Sequence, residues 1–213
     1  MMKTALISDI HGNLKGLKEV LRDIENCGCD RIICLGDLVD GGNENEGVVQ
    51  QIIEKRIPCV RGNHDEFNDL RLATKTKEFL NQLPEEIIEN EVIYTHISPR
   101  NRKRKVRDGI EAWNIFDETN YKISFIGHVH IPLLFGEKSN EFGNSTQYFF
   151  DYNKPVYLDH NDRYIICVGA VGYGRDLVGK IRYAIFDDEK YMIEYRAIEG
   201  HLLPIDWTLV TTL

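Results

Sequence analysis

Through the first sixty residues, short β-rich runs alternate with helical patterns, and each predicted strand runs straight into a cluster of acidic or imidazole side chains. Lys3–Ser8 reads as a buried strand. Asn13–Asn26 reads as a helix, because Leu14, Leu17, Leu21 and Ile24 fall on one face. Asn13 can cap its start, and Gly28 stands where a helix stops. Arg31–Leu35 is a second strand, Glu46–Arg56 a second helix with Val48, Val49, Ile52 and Ile53 apolar, and Ile57–Val60 a third strand. That order predicts parallel strands joined by crossover helices. Parallel strands deliver their carboxyl ends to one edge, where α/β proteins place their ligands.

The second half is richer in strands. Glu86–Glu89 and Glu91–His96 form a predicted hairpin about Asn90, followed by a helix over Arg107–Glu118. Strands are expected at Ile123–Ile126, Ile131–Phe135, Arg163–Val168, Ile181–Phe186 and Tyr191–Ala197, which would build a mixed or antiparallel second sheet. Gly136–Pro155 is expected as a long loop or irregular hairpin. No repeat or linker divides the chain, so residues 1–213 are expected to form one domain.

The chemistry is concentrated at the strand ends. Asp9-Ile10-His11 follows the first strand, Gly36-Asp37-Leu38-Val39-Asp40 the second and Gly62-Asn63-His64-Asp65 the third. His96 and Gly127-His128-Val129-His130 follow two later strands. Chance alone gives about 0.5 D-x-H in such a composition, about 0.1 G-D-x-x-D, about 0.02 G-H-x-H and about 0.003 G-N-H-D, so the ordered set is specific although D-x-H is not. Carboxylate, imidazole and amide oxygen together suit Mn, Fe, Zn, Ni or Co. Glycines before Asp37, Asn63 and His128 predict tight turns or close backbone approach. His160 and His201 lie outside the clusters and read as ordinary histidines.

Taken together, the blocks resemble the calcineurin-like metallophosphoesterase superfamily, where D-x-H, G-D-x-x-D, G-N-H-D/E, H and G-H-x-H recur in this order. The chain is most similar to its small bacterial and archaeal phosphodiesterase-like members. His96-Ile97-Ser98-Pro99-Arg100 and Gly172-Tyr173-Gly174-Arg175-Asp176 extend the likeness, which covers about residues 3–198. It implies an α/β fold, a four-layer α/β/β/α sandwich of two mixed sheets. It also implies two divalent cations, manganese ahead of Fe, Zn, Ni, Co or Mg. Asp37 would be shared between them, with Asp9, His11 and His130 completing one group and Asn63, His96 and His128 the other. His64 would act at the phosphoester as general acid or oxygen donor, oriented by Asp65 or Asp40. Paired cations neutralise phosphoryl oxygens and acidify water, so such a centre needs no protein base.

The implied activity is phosphodiester hydrolysis of a small phosphoester or nucleotide. Alternatives are a dinucleoside-polyphosphate hydrolase, a nucleotide or protein phosphatase and, in another class, a non-catalytic scaffold on the same fold. Protein phosphatases of this superfamily carry Arg after G-D-x-x-D, where this chain has Gly41, which disfavours that substrate. Ile97 stands where similar members have glycine, and Cys167-Val168-Gly169-Ala170 where they have N-P-G-S.

Charge sharpens the choice of partner. The net charge of −8 argues against broad nonspecific binding to nucleic acid or anionic membrane. Yet Arg100–Arg107 holds six basic residues and no acid. Read blandly it is a solvated loop; read sharply, Arg100, Arg102 and Arg104 bind further phosphates or a short nucleic acid. Arg175 is a second phosphate candidate, or else an ion-pair partner of an Asp. Tyr148, Phe149, Phe150 and Tyr152 read as packing residues. Five cysteines without a framework spacing, no leader-like segment and no membrane-length apolar run predict a reduced, cytoplasmic protein. Cys27-Gly28-Cys29 lacks a second pair and is expected to pack as small apolar side chains.

Overall fold

The computed structural model describes residues 2–176 and 179–204. Lys3–Ile7 (β1) and Arg31–Cys34 (β2) run parallel, with Thr4 opposite Arg31 and Ile7 opposite Cys34. The helix Leu14–Asn26 (α1) connects them. Asn13 caps it by accepting the Gly16 amide at 3.0 Å, and the helix buries Leu17, Val20, Leu21 and Ile24. Gly28, at φ +62°, ends it as the sequence predicts. Asn45–Glu54 (α2) buries Val48, Val49 and Ile52, but Ile53 lies 46% exposed, outside the predicted stripe.

The predicted third strand is reduced to a single parallel bridge between Cys34 and Cys59. Cys34 donates to the Pro58 carbonyl at 2.9 Å, and Val60 donates to the Cys34 carbonyl at 3.0 Å. Pro58 has no N–H to extend the ladder. Two helices that the periodicity does not reveal follow, Asn63–Glu66 (α3) and Thr74–Gln82 (α4). α4 buries only Thr76 and Leu80, too few positions to show a 3.6-residue period.

Glu86–Glu89 (β3) and Val92–Thr95 (β4) form the expected hairpin, with Asn90 at φ +54° in the turn. Gly109–Glu118 (α5) begins two residues later than predicted, because the Asp108 carboxylate caps the Ile110 and Glu111 amides. Ile123–Ile126 (β5), Pro132–Gly136 (β6), Thr146–Tyr148 (β7), Pro155–Tyr157 (β8), Tyr164–Val168 (β9), Ile181–Asp187 (β10) and Met192–Ile198 (β11) complete the strands. β7 makes the Gly136–Pro155 segment an irregular hairpin on β6, and β8 is a short edge strand that the sequence does not announce.

The strands form two mixed sheets, β2-β1-β10-β11-β8 and β3-β4-β5-β9-β6-β7. A simple division of the chain into a first-half sheet and a second-half sheet is therefore incorrect. β10, buried along its whole length, pairs antiparallel with β1 and brings the C-terminal hairpin into the first sheet. β1 thereby gains a partner on each side. One core lies between α1, α2, α4 and the first sheet. A second lies between the sheets and a third between the second sheet and α5. The order is four-layered, α/β/β/α. Phe125 sits in the middle core, fully buried, its ring 5.3 Å from Tyr94 and 5.4 Å from Phe186. Phe125→Ala should lower unfolding stability by about 3–5 kcal/mol in a denaturant titration. A loss below about 1 kcal/mol would show that the sheets do not pack through this ring.

Candidate metal centre

The clusters leave the strand ends on loops that are laced to one another. The amides of Ile10 and His11 both donate to the Asp37 carbonyl, at 2.8 and 2.9 Å, and Gly12 donates to Leu38 at 2.8 Å. The two sheets are joined here as well. Asp9 accepts the His128 amide at 3.0 Å, and His96 Nδ1 donates to the Leu35 carbonyl at 2.6 Å. Asp9, His11, Asp37, Asp40, His128 and His130 all take left-handed backbone conformations, with φ between +52° and +71°. Such residues persist only where the surroundings over-determine them, at about 1–3 kcal/mol each. The glycine signal divides in two. Gly36 needs its φ of +90°, whereas Gly62 is required by contact, since a Cβ there would lie 2.1 Å from Asp37 Oδ1.

Donor atoms of Asp9, His11, Asp37 and His130 all fall within 4.8 Å of one another, as do those of Asp37, His96 and His128. Asp37 belongs to both groups. Asn63 joins the second, its Oδ1 lying 3.1 Å from His96 Nε2 and 2.9 Å from His128 Nδ1. These are the two groups that the sequence resemblance implies.

The outer nitrogens of three imidazoles are committed to backbone carbonyls. His11 Nδ1 donates to Asp40 at 2.7 Å, His130 Nδ1 to Tyr173 at 2.8 Å and His96 Nδ1 to Leu35 at 2.6 Å. The Nε2 atoms of His11 and His130 therefore turn lone pairs inwards, as in metal sites whose second hydrogen bond fixes the tautomer. His11 Nε2 and His130 Nε2 stand 3.2 Å apart, beside Asp9 Oδ1 and Asp37 Oδ2. Lone pairs and carboxylate oxygens facing one small space repel unless a cation lies among them.

The electrostatics agree. Burial opposes ionisation of Asp9 and Asp37, but the surrounding imidazoles outweigh it, holding Asp9 well below the usual carboxylate range and Asp37 at about 2. Burial lowers His11 to about 4 and His128 to about 3, so both are neutral donors at pH 7. His96 differs: burial works against its proton, yet Asp37 and Asp9 lift it to about 10. A cation entering there would displace that proton.

Residues 2–187 match the calcineurin-like phosphoesterase superfamily domain. The chain belongs to this superfamily. It is 34% identical over 227 aligned residues to an uncharacterized protein of Methanocaldococcus jannaschii, covering 92% of this chain and 86% of that one. The metallophosphoesterase of Sphaerobacter thermophilus is similar at 28% identity with a TM-score of 0.82, over 94% of this chain and 90% of that one. A hypothetical protein of Pyrococcus horikoshii shares the fold at 15% identity and a TM-score of 0.67, over 94% and 89%.

Beside these donor groups, His64 Nδ1 lies 2.7 Å from Asp40 Oδ2, and the His64 amide donates to Asp37 Oδ1 at 2.8 Å. Asp40 is thus the residue that orients His64. Asp65, the other candidate, does not reach the imidazole. Its buried carboxylate accepts the amides of Asp37, Leu38 and Gly62, each at 2.8 Å. Burial and the charge of Asp37 push it up to about 6. Tyr173, which sequence reasoning did not single out, packs its ring 4.5 Å from His130 and 5.0 Å from His11. Its aromatic character beside Arg175 was the available signal.

The basic segment is largely neutralised. Arg100, only 11% exposed, bonds Glu111 at 2.8 Å and Glu118 at 2.6 Å, so it is a structural residue rather than a phosphate contact. Lys103 pairs with Glu85, and Arg104 lies 3.7 Å from Glu111. Arg102, Lys105, Arg107 and Arg175 make no ion pair among the described residues. Asp176 instead pairs with the buried Arg182, at 2.9 Å. Lys105 is held below its ordinary pKa by burial and by the charges of Arg107 and Arg175. Of the four aromatics, Phe150 stacks on Tyr195 at 3.9 Å, and Tyr148 and Tyr152 are half-buried, whereas Phe149 lies in solvent. The five cysteines are unpaired, and Cys27 and Cys29 pack against the outer core.

Asp65→Ala leaves three amides without an acceptor and should cost about 3 kcal/mol or more, with Asp65→Asn milder because one oxygen remains. Denaturant midpoints measure both. An unchanged midpoint for Asp65→Ala would remove the structural role given to this carboxylate.

Proposed function

We propose that this chain is a metal-dependent phosphoester hydrolase, a phosphodiesterase in the first instance, formed as one domain. The observation that supports it most is a pair of inward-facing donor groups sharing Asp37, with an imidazole held at their rim. Asp9, His11, Asp37 and His130 would hold one divalent cation, and Asp37, Asn63, His96 and His128 a second. Manganese is the first choice, and Fe, Zn, Ni, Co or Mg are alternatives compatible with these ligand types. When bound, the cations supply an acidified water and neutralise the charge that builds on the phosphoryl oxygens.

The protein's own groups do the rest. The backbone of the Asp37 and His64 loops fixes the donors, so little reorganisation remains when substrate arrives. The Asp40 carboxylate accepts His64 Nδ1–H and orients the ring, leaving Nε2 at the rim to pass a proton to the departing alkoxide. Gly41 bears on diester over monoester. A side chain there would come 2.8 Å from His11 Cβ, so an arginine clamp for a dianionic phosphate has no room without moving a donor. Hydrolysis of nucleotides or dinucleoside polyphosphates is the second reading, favoured by Lys105, Arg107 and Arg175, which make no ion pair among the described residues. A non-catalytic scaffold has no use for seven convergent donors and an oriented His64.

Among the described residues no helix is long and apolar enough to cross a membrane. The unpaired thiols fit the reducing cytoplasm in which we place the enzyme.

Hydrolysis of bis-p-nitrophenyl phosphate should require added divalent metal and fall at least about 100-fold with chelator or with Asp37→Asn. Activity surviving both treatments would refute the mechanism. His64→Ala should reduce kcat by about 10²–10⁴ for esters with alkyl leaving groups. It should cost far less for p-nitrophenolate, which leaves without a proton. Equal losses on the two substrates would remove His64 as the proton donor.

A further inference from the structure

A cleft with room for about 150 Å³ opens directly from Asn63 and His96, on the side of the centre away from His11 and His130. That is smaller than the roughly 300–1,000 Å³ of a site for a drug-sized ligand, and is the scale of a single ring. Its apolar lining is Phe67 and Ile97. Phe67 is 71% exposed, yet its backbone is fixed, its amide donating to the Asn63 carbonyl at 2.8 Å. A bare aromatic ring is thus held at a set distance from a proposed metal ligand. Ile97 follows His96 directly and adds a branched aliphatic side chain to this cleft.

The polar lining nearly neutralises itself. Glu85 pairs with Lys103 and lies 3.7 Å from Arg61, whose other carboxylate neighbour is Glu66 at 3.9 Å. No cation is left over for a second phosphate. What remains is hydrogen-bonding capacity: Glu85 and Glu66 offer exposed acceptor oxygens, and Lys103 an exposed donor. An exposed ring, an aliphatic wall and a charge-balanced polar edge suit a flat, uncharged ring with donors and acceptors at its rim.

We propose that this cleft receives the organic group of the ester, a flat aromatic ring of the nucleobase class stacked on Phe67, and that Ile97 sets its size limit. The assignment rests on the phosphoesterase reading, which places phosphorus at the adjoining centre. Stacking on one aromatic side chain contributes about tenfold or more in affinity.

The test is binding, measured by calorimetry on the metal-loaded protein. Phenylphosphonate should bind about tenfold more tightly than methylphosphonate, and adenosine 5′-monophosphate more tightly than ribose 5-phosphate by a similar factor. Both preferences should fall to about twofold or less in Phe67→Ala, return in Phe67→Trp, and weaken in Ile97→Gly. Phe67 is exposed, so its replacement leaves the fold intact. If both members of each pair bind equally, or the preference survives Phe67→Ala, the cleft does not hold the ring. If the phenyl pair behaves as expected but the nucleotide pair does not, the nucleobase class is wrong. If no phosphonate or phosphate binds, the anion site itself is wrong and the phosphoesterase reading falls with the cleft.

Discussion

The carboxylate of Asp65 takes three backbone amides, from Asp37, Leu38 and Gly62, and in doing so clamps the loop after β2 to the start of α3. Asp37, Asn63 and His64 keep their mutual positions through that clamp. Gly62 cannot be larger because the clamp draws its backbone against Asp37. A carboxylate buried this way is costly, as its raised pKa records, and the three amides offset much of that cost. The remaining loops hang on this fixed piece. The β1 loop bonds to the Asp37 and Leu38 carbonyls, His96 bonds to Leu35, and Asp9 holds the His128 amide.

Strain and electrostatics are two sides of this arrangement. Six left-handed residues turn side chains from separate loops toward one space, and the space they enclose is rich in lone pairs and negative charge. In an α/β fold the cost is absorbed by the large cores on both sides of the sheets, which do not depend on the loops' conformations. The same logic explains the basic segment. Six cations in eight residues look like an open phosphate rim, but Arg100 is drawn down onto α5 by Glu111 and Glu118, and Lys103 onto Glu85. The net charge of −8 therefore conceals a partly self-neutralised segment, in which Lys105 feels the charges of Arg107 and Arg175.

Much of the fold was legible because apolar period and punctuation agree with burial along β1, α1, β2, β5, β9, β10 and β11. It was not legible where the local pattern is weak. α4 buries two side chains, β8 has three residues on an edge, and Pro58 interrupts an otherwise strand-like run. Sheet membership was hidden for another reason. Nothing local tells β10 to pair with β1 rather than with its neighbours in the second half of the chain, since that pairing is decided by burying both faces of β10.

The sequence by itself determined which donor types follow which strands, and hence the superfamily, because ligand chemistry is carried by residue identity and short spacing. Only the tertiary structure decided that strand ends from two different sheets meet, that His128 presents Nδ1 where His96 presents Nε2, and that Asp40 rather than Asp65 holds His64. It also decided which arginines of the basic segment are drawn into ion pairs and that Ile97 and Phe67 border one cleft. Each of these depends on hydrogen bonds and ion pairs between residues far apart in the chain, made possible by backbone conformations that no local pattern announces.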